Sequence, residues 1–488
     1  MAEPIYKVPC PACGAPVSFM SSASVMAVCS YCQSTLLRDA DSVRNIGKMS
    51  DILADYSPIQ IGTSGVYEGS AFSVVGRIQL QYEDGYWNEW YAVFDDGSTG
   101  WLADASGQYV FTRDAPAPAS GPTFDALRPG NGVPHLDHLW NVADVRVAHC
   151  IAGQGELPFA VGAGYAVKAA DLRYRDRFMT LDWSEPTLRC YVGKAVTLDG
   201  MKCQLLREGS AIADTAGRLR GKISSLNCPA CGSPIQYAPG LTRFMVCPAC
   251  HAESAQSPDK QEVLATQERV NARPTTLKPG DSGNIDGVLW DVLGVMVKRE
   301  VGENAFWTEY LLFNVIKGFL WLVESDEGWQ RVQVLDVWPS PAGNAITWET
   351  ATFAHQYQYT GEVVWAAGSF NWRVKTGDRV VVNDYRQGQI TLTSEATAEE
   401  MTWSRSQPVS AEQLQKWFTH ASFKAAAATT RPGAGGIELE TLAKVFTGGM
   451  VLLNIPALLN ADDSGGPIFI SAIAILLLWL PIWAWRKT

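Results

Sequence analysis

Two matched sets of cysteine knuckles constrain this chain more than anything else in it. Cys10-Pro11-Ala12-Cys13-Gly14 is answered by Cys29-Ser30-Tyr31-Cys32, with fifteen residues between the inner cysteines. The pattern returns as Cys228-Pro229-Ala230-Cys231-Gly232 and Cys247-Pro248-Ala249-Cys250, again with fifteen between. A C-x2-C knuckle turns two thiolates toward one point, and two knuckles complete a tetrahedron around zinc. Gly232, directly after its knuckle, suits a turn that needs a positive φ. The expectation is two structural zinc ions, one on Cys10, Cys13, Cys29 and Cys32, the other on Cys228, Cys231, Cys247 and Cys250. Four thiolates saturate the ion and leave no position open for a substrate. The three remaining cysteines, Cys150, Cys190 and Cys203, read as buried small hydrophobes.

The stretches C-terminal to the two ribbons match as well, so the chain reads as a tandem duplication. Gly62-Thr63-Ser64-Gly65, Gly69, Phe72, Val74 and Gly76 correspond to Gly280-Asp281-Ser282-Gly283, Gly287, Trp290, Val292 and Gly294. Trp87-Asn88-Glu89-Trp90 faces Trp307-Thr308-Glu309-Tyr310, and Trp101-Leu102 faces Trp321-Leu322. Further on, Gly155-Glu156-Leu157-Pro158-Phe159 is matched with Gly361-Glu362-Val363-Val364-Trp365. Short β-branched and aromatic runs punctuated by Asp-Gly predict antiparallel hairpins.

The fold class is therefore mainly β: two tandem units, each a four-Cys zinc ribbon plus a small antiparallel β-barrel or sandwich-like domain, then a C-terminal transmembrane helical hairpin. The expected domains are ribbon 1 over 1–38, β copy 1 over 57–208, ribbon 2 over 226–254 and β copy 2 over 275–423. A flexible linker over 424–440 and a membrane hairpin over 441–488 complete the chain. Polar connectors near 39–51 and 258–272 read as helical or coiled. Ser410-Ala411-Glu412-Gln413 reads as a capping box opening a short helix through about Phe423. Pro467–Trp485 holds no charge over nineteen residues, enough to span a bilayer, with Arg486-Lys487 marking a cytoplasmic end. Pairing it with a first span over about 445–459 keeps both termini, and the ribbons, in a reducing cytoplasm.

A net charge of −11 argues against a nucleic-acid binder. The knuckles agree, since Cys10–Cys32 has no Lys or Arg and Cys228–Cys250 has only Arg243. No phosphate-binding glycine loop, nucleophile elbow or H-E-x-x-H helix is present. His135, His138 and His149 lack a counterpart in the second half and read as surface residues. Glu89 and Glu309, retained in both copies, share a strand face with Trp87 and Trp307. A carboxyl beside an indole can carry a raised pKa; it can equally tie a hairpin together. Glu156 and Glu362 form a second candidate pair of acids. No catalytic residue is assigned, because no partner base is identifiable.

The pattern G-x-x-G-x-aromatic-x-V-x-G, then W-x-E-aromatic, then W-L, resembles the bacterial domain-of-unknown-function 4178 family over about 57–208 and 275–420. Gly280, Gly287, Trp290, Gly294, Trp307, Glu309, Trp321, Gly361, Glu362 and Trp365 carry the likeness. The resemblance implies a small β-rich module, often with a ribbon before it and a membrane segment after, and implies no activity. The expected role is a membrane-anchored, cytoplasm-facing adaptor or sensor. It would bind protein partners at the bacterial inner membrane, in a setting of membrane stress. The alternative is an enzyme or ligand-binding protein that uses Glu89 or Glu309 on a small cationic, polyamine-like or lipid head-group ligand.

Overall fold

The computed structural model describes, with short gaps, residues 6–48, 57–212, 224–265 and 275–423. The expected membrane hairpin and the expected linker before it lie outside the described residues. Among the described residues, no helix is long and apolar enough to cross a membrane.

The first ribbon contributes β1 (Tyr6–Pro9), β2 (Pro16–Phe19), β3 (Met26–Val28), β4 (Ser34–Asp39) and β5 (Ser42–Lys48). The first β domain begins with β6 (Ser64–Tyr67), β7 (Ser70–Gln81), β8 (Tyr86–Phe94), β9 (Thr99–Ala105) and β10 (Gln108–Ala115). Its second half is β11 (Gly132–His135), β12 (His138–Leu157), β13 (Tyr165–Tyr174), β14 (Arg177–Asp182) and β15 (Arg189–Val196). The second ribbon is β16 (Ser224–Asn227), β17 (Pro234–Tyr237), β18 (Phe244–Val246), β19 (Glu253–Gln256) and β20 (Gln261–Ala265). The second β domain opens with β21 (Ser282–Ile285), β22 (Val288–Glu300), β23 (Phe306–Asn314), β24 (Gly318–Ser325) and β25 (Gly328–Val334). It ends with β26 (Ser340–Ala342), β27 (Ala345–Trp348), β28 (Ala351–Phe370), β29 (Arg379–Gln387), β30 (Ile390–Ala396), β31 (Met401–Val409) and helix α1 (Ala411–Trp417).

Each β domain is a closed eight-stranded barrel. In the first, pairing runs β12-β13-β14-β15-β10-β9-β8-β7 and returns to β12; in the second, β28-β29-β30-β31-β25-β24-β23-β22 returns to β28. One long strand closes each barrel. β12 spans twenty residues, bonding β13 along Asn141–Cys150 and β7 along His149–Gly155. A bulge between Cys150 and Ala152 bends it from one partner to the other.

Val292–Val297 of β22 is a continuous buried run because both faces of that wall are covered. In β22, Val295 and Val297 pack with Leu414 and Trp417 of α1 and with Phe418 just after it, while Met296 faces Val363, Phe370 and Val374. The segment after β15 replaces α1 in the first barrel, where Met201 packs on Phe72 and Trp90. Ser410 caps α1 as expected, its hydroxyl accepting from the Gln413 N–H at 3.2 Å. The helix stops at Trp417 instead of running to Phe423, because Phe418 turns into the core.

The connectors expected to be helical contain strands: β5 pairs with β4, and β20 with β19. Each ribbon is therefore a larger sheet than its cysteines require, and that sheet does not stop at the ribbon. β3 pairs with the end of β12 (Met26 opposite Leu157), and β18 with the end of β28 (Phe244 opposite Phe370). The strand that closes each barrel thus also carries its ribbon. Glycines make the junction possible. Gly76 lies opposite Gly155 and Gly294 opposite Gly368; Gly155 and Gly368 take φ of +71° and +97°. A Cβ on Gly76 would stand 1.7 Å from the Glu156 carbonyl oxygen, so only glycine fits.

The two barrels also touch. The Val145 N–H donates to the Glu399 carbonyl at 2.9 Å, and the Trp338 N–H to that of Arg175 at 2.9 Å. Arg146 holds Asp144 and Glu400 at 2.5 Å each, linking the copies through one guanidinium.

Candidate functional site

The knuckles build two thiol clusters. Gly14 and Gly232 take φ of +78° and +76°, and their N–H groups donate to the carbonyls of Cys10 and Cys228 at 2.8 and 2.7 Å. Those turns aim the first two thiols of each set at the second two. Cys10 and Cys32 lie 3.7 Å apart at sulfur, as do Cys13 and Cys29, Cys228 and Cys250, and Cys231 and Cys247. Within each cluster all four sulfurs fall inside 4.8 Å. A tetrahedral ion with metal–sulfur bonds of about 2.3 Å requires sulfur–sulfur edges of about 3.8 Å. The separations match that edge and are far too long for a disulfide. Both clusters can therefore hold a metal ion, and a fourfold thiolate shell offers it no open position.

Glu89 and Glu309 stand at equivalent places, opposite Ile78 of β7 and Met296 of β22. Each accepts a hydrogen bond from the tryptophan two residues before it: Trp87 Nε1 at 3.1 Å and Trp307 Nε1 at 2.7 Å. Beyond that bond the copies diverge. Lys298 Nζ lies 3.0 Å from Glu309 Oε1 and 3.6 Å from Glu395 Oε1, with the Lys298 and Glu309 side chains 10% and 13% exposed. Burial raises the Glu309 pKa, while the ammonium beside it pulls the other way. β30, which carries Glu395, is not a neighbour of β22, so this ion pair crosses the barrel interior.

Glu89 makes no ion pair among the described residues. Burial raises its carboxyl to about 7, and the charges of Asp171 on β13 and Asp182 on β14 add to the rise; the Trp87 hydrogen bond opposes them. Neither strand adjoins β8, so these charges act from across the barrel. Asp171 is itself engaged, accepting from Thr180 Oγ1 at 2.8 Å.

The second pair of acids is not a pair. Gly155 aligns with Gly368, not with Gly361, because each faces the same repeat glycine across the ladder. Glu156 is buried at the ribbon junction, opposite Ala27. Glu362 sits between Arg299 and Arg379, each 3.3 Å away. The likeness of the two Gly-Glu stretches hid a shift that only strand pairing exposes. The histidines form no cluster: His135 and His138 face each other across a tight turn, and His138 stacks on Tyr174 at 4.3 Å.

Sequence reasoning missed Lys298, Glu395, Asp171 and Asp182. Lys298 carried a signal, being the first charge after the uncharged run Val292–Val297 of β22.

These features define a tandem ribbon-and-barrel protein with two four-cysteine groups able to hold a metal ion and one unmatched acid inside its first barrel. A family model described as domain of unknown function (DUF4178) matches residues 60–198 and 278–411, together more than half of the chain. The chain belongs to that family. Neither the curated proteins nor the solved structures contain a match to it.

Proposed function

We propose that this chain is a membrane-tethered binding protein, an adaptor or sensor with its ribbons and barrels in the bacterial cytoplasm and zinc in both ribbons. The observation that carries this reading is the continuous sheet from each ribbon into its barrel, made through β3–β12 and β18–β28. Metal binding to such a ribbon stiffens a barrel edge and so serves shape, not chemistry at the ion. The charge-free Pro467–Trp485 supplies the tether, and anchoring raises the effective concentration of the binding surfaces toward membrane partners. Purification from native membranes in mild detergent, followed by mass spectrometry, tests the adaptor role. The whole chain is compared with one ending at Thr430. A near-stoichiometric membrane protein lost on truncation supports the role; the same partnerless protein in both preparations refutes it.

A second reading, a small cationic ligand, is favoured by one observation at Glu89. Its carboxyl lacks the counter-ion that Lys298 gives Glu309. Because Glu309 is already neutralised by the chain itself, this reading narrows to the first barrel.

A further inference from the structure

The two barrels carry one polar cluster with a single decisive difference. Ladder register fixes the correspondence. Leu80 lies opposite Trp87, as Lys298 lies opposite Trp307, so Leu80 occupies the Lys298 position. Thr180 donates to Asp171 in the first barrel and Thr393 to Asp384 in the second. Two residues beyond these threonines stand Asp182 and Glu395, which are therefore equivalent. The first barrel keeps both acids of the second and has replaced the cation between them by a leucine that is 2% exposed.

In the second barrel those acids hold a primary ammonium, at 3.0 and 3.6 Å. We propose that the first barrel binds the primary ammonium of a small amine between Glu89 and Asp182, in the place that the Lys298 ammonium takes in the second barrel. This inference rests on the ligand-binding reading above and names its ligand class.

The acceptors are available. Trp87 occupies Glu89 Oε1 at 3.1 Å, leaving Oε2. Asp182 Oδ1 is taken by the Ser184 N–H at 2.7 Å and by the Ser184 hydroxyl, leaving Oδ2. Asp182 is one methylene shorter than Glu395, which widens the gap it faces. Tyr165 packs against the cluster that holds Leu80 and Trp87, and Tyr191 lies opposite Thr180 on the ladder. Of the nearby cations, Arg146 binds Asp144 and Glu400, and Arg173 lies over the Phe178 ring and acts on Asp171. An ammonium with three N–H donors can satisfy carboxylates that a quaternary ammonium cannot. A buried acceptor left without a donor discriminates strongly against such a ligand.

The test titrates the whole chain in detergent with n-butylammonium, the free form of a lysine side chain, and with tetramethylammonium, by calorimetry. The expected result is one butylammonium bound per chain and tetramethylammonium weaker by about tenfold or more. Leu80→Lys, which installs the missing ammonium, should abolish butylammonium binding. Glu89→Gln, nearly isosteric, should do the same and covers the case in which Leu80→Lys does not fold. Butylammonium binding that survives Glu89→Gln overturns the proposal. Equal binding of both cations, lost in Glu89→Gln, overturns the primary-amine assignment while leaving a cation site at Glu89. Binding of neither cation defeats both.

Discussion

Replacing Lys298 by leucine copies into the second barrel what the first already contains, and its cost can be estimated from the contacts. Lys298 and Glu309 are both largely buried at 3.0 Å, and removing one partner of a buried pair costs about 3–5 kcal/mol. The Glu395 arm is longer, at 3.6 Å, and its carboxylate is 36% exposed, so it adds less than about 1 kcal/mol. A total of about 3–6 kcal/mol corresponds to a fall in melting temperature of roughly 6–24 °C for a unit of this size. The sign with pH comes from Glu309. Burial already raises its pKa, and losing the ammonium raises it further. The folded variant then binds a proton that the unfolded chain has released, so the penalty grows as pH rises above the unfolded value. The loss should be larger at pH 8 than at pH 5, where Glu309 takes up its proton more readily. Lys298→Leu with Glu309→Gln should recover most of the loss at pH 8. Thermal unfolding followed by tryptophan fluorescence and calorimetry at both pH values measures this. An equal loss at pH 5 and pH 8 would refute the electrostatic account and assign the cost to packing of the lysine stem.

The same geometry sets three further outcomes. Glu89, raised from 4.5 to about 7, is protonated in the folded chain over a range where the unfolded chain has ionised it. Its contribution therefore weakens stability as pH rises through that window, and Glu89→Gln should stabilise by about 1–3 kcal/mol at pH 8 and by almost nothing at pH 4. Gly76→Ala should cost about 3 kcal/mol or more, because its Cβ meets the Glu156 carbonyl at 1.7 Å. Gly69→Ala, at φ +84° with no atom within 4 Å, should cost only about 1–2 kcal/mol of backbone strain, and denaturant unfolding of the two compares them. Cys228→Ser should lower bound metal from two ions to one per chain by elemental analysis. It should also speed hydrogen exchange of the Phe244–Val246 amides, whose strand pairs with Phe370–Gly368; slow exchange there would separate the ribbon's metal from its junction.

The legible parts of this protein were those that local chemistry writes into short stretches. Cysteine spacing gave both four-thiol clusters, Asp-Gly and β-branched runs gave the hairpins, and Ser410 marked the start of α1. Periodicity also placed Glu89 and Glu309 beside their tryptophans, since residues two apart on a strand share a face. The Gly155 and Gly361 stretches misled because similar residues in similar order need not share a register. The connectors read as helices because polar runs such as Ser42–Lys48 reveal no strand partner until one lies beside them.

Tertiary structure decided what the sequence could not state about its own acids. Glu89 and Glu309 look alike along the chain, with the same tryptophan two residues before each. Their difference is set by Leu80 and Lys298 on the neighbouring strand and by Asp182 and Glu395, which approach only when each barrel closes. A carboxyl's pKa depends on burial and on charges within a few ångströms, and barrel closure brings those charges together from residues up to about a hundred positions away. The ribbons obey the same logic. Four thiols can be read from spacing, but that β3 and β18 pair with the closing strands of the barrels depends on backbone groups with no side-chain signature, so only the folded chain reveals it.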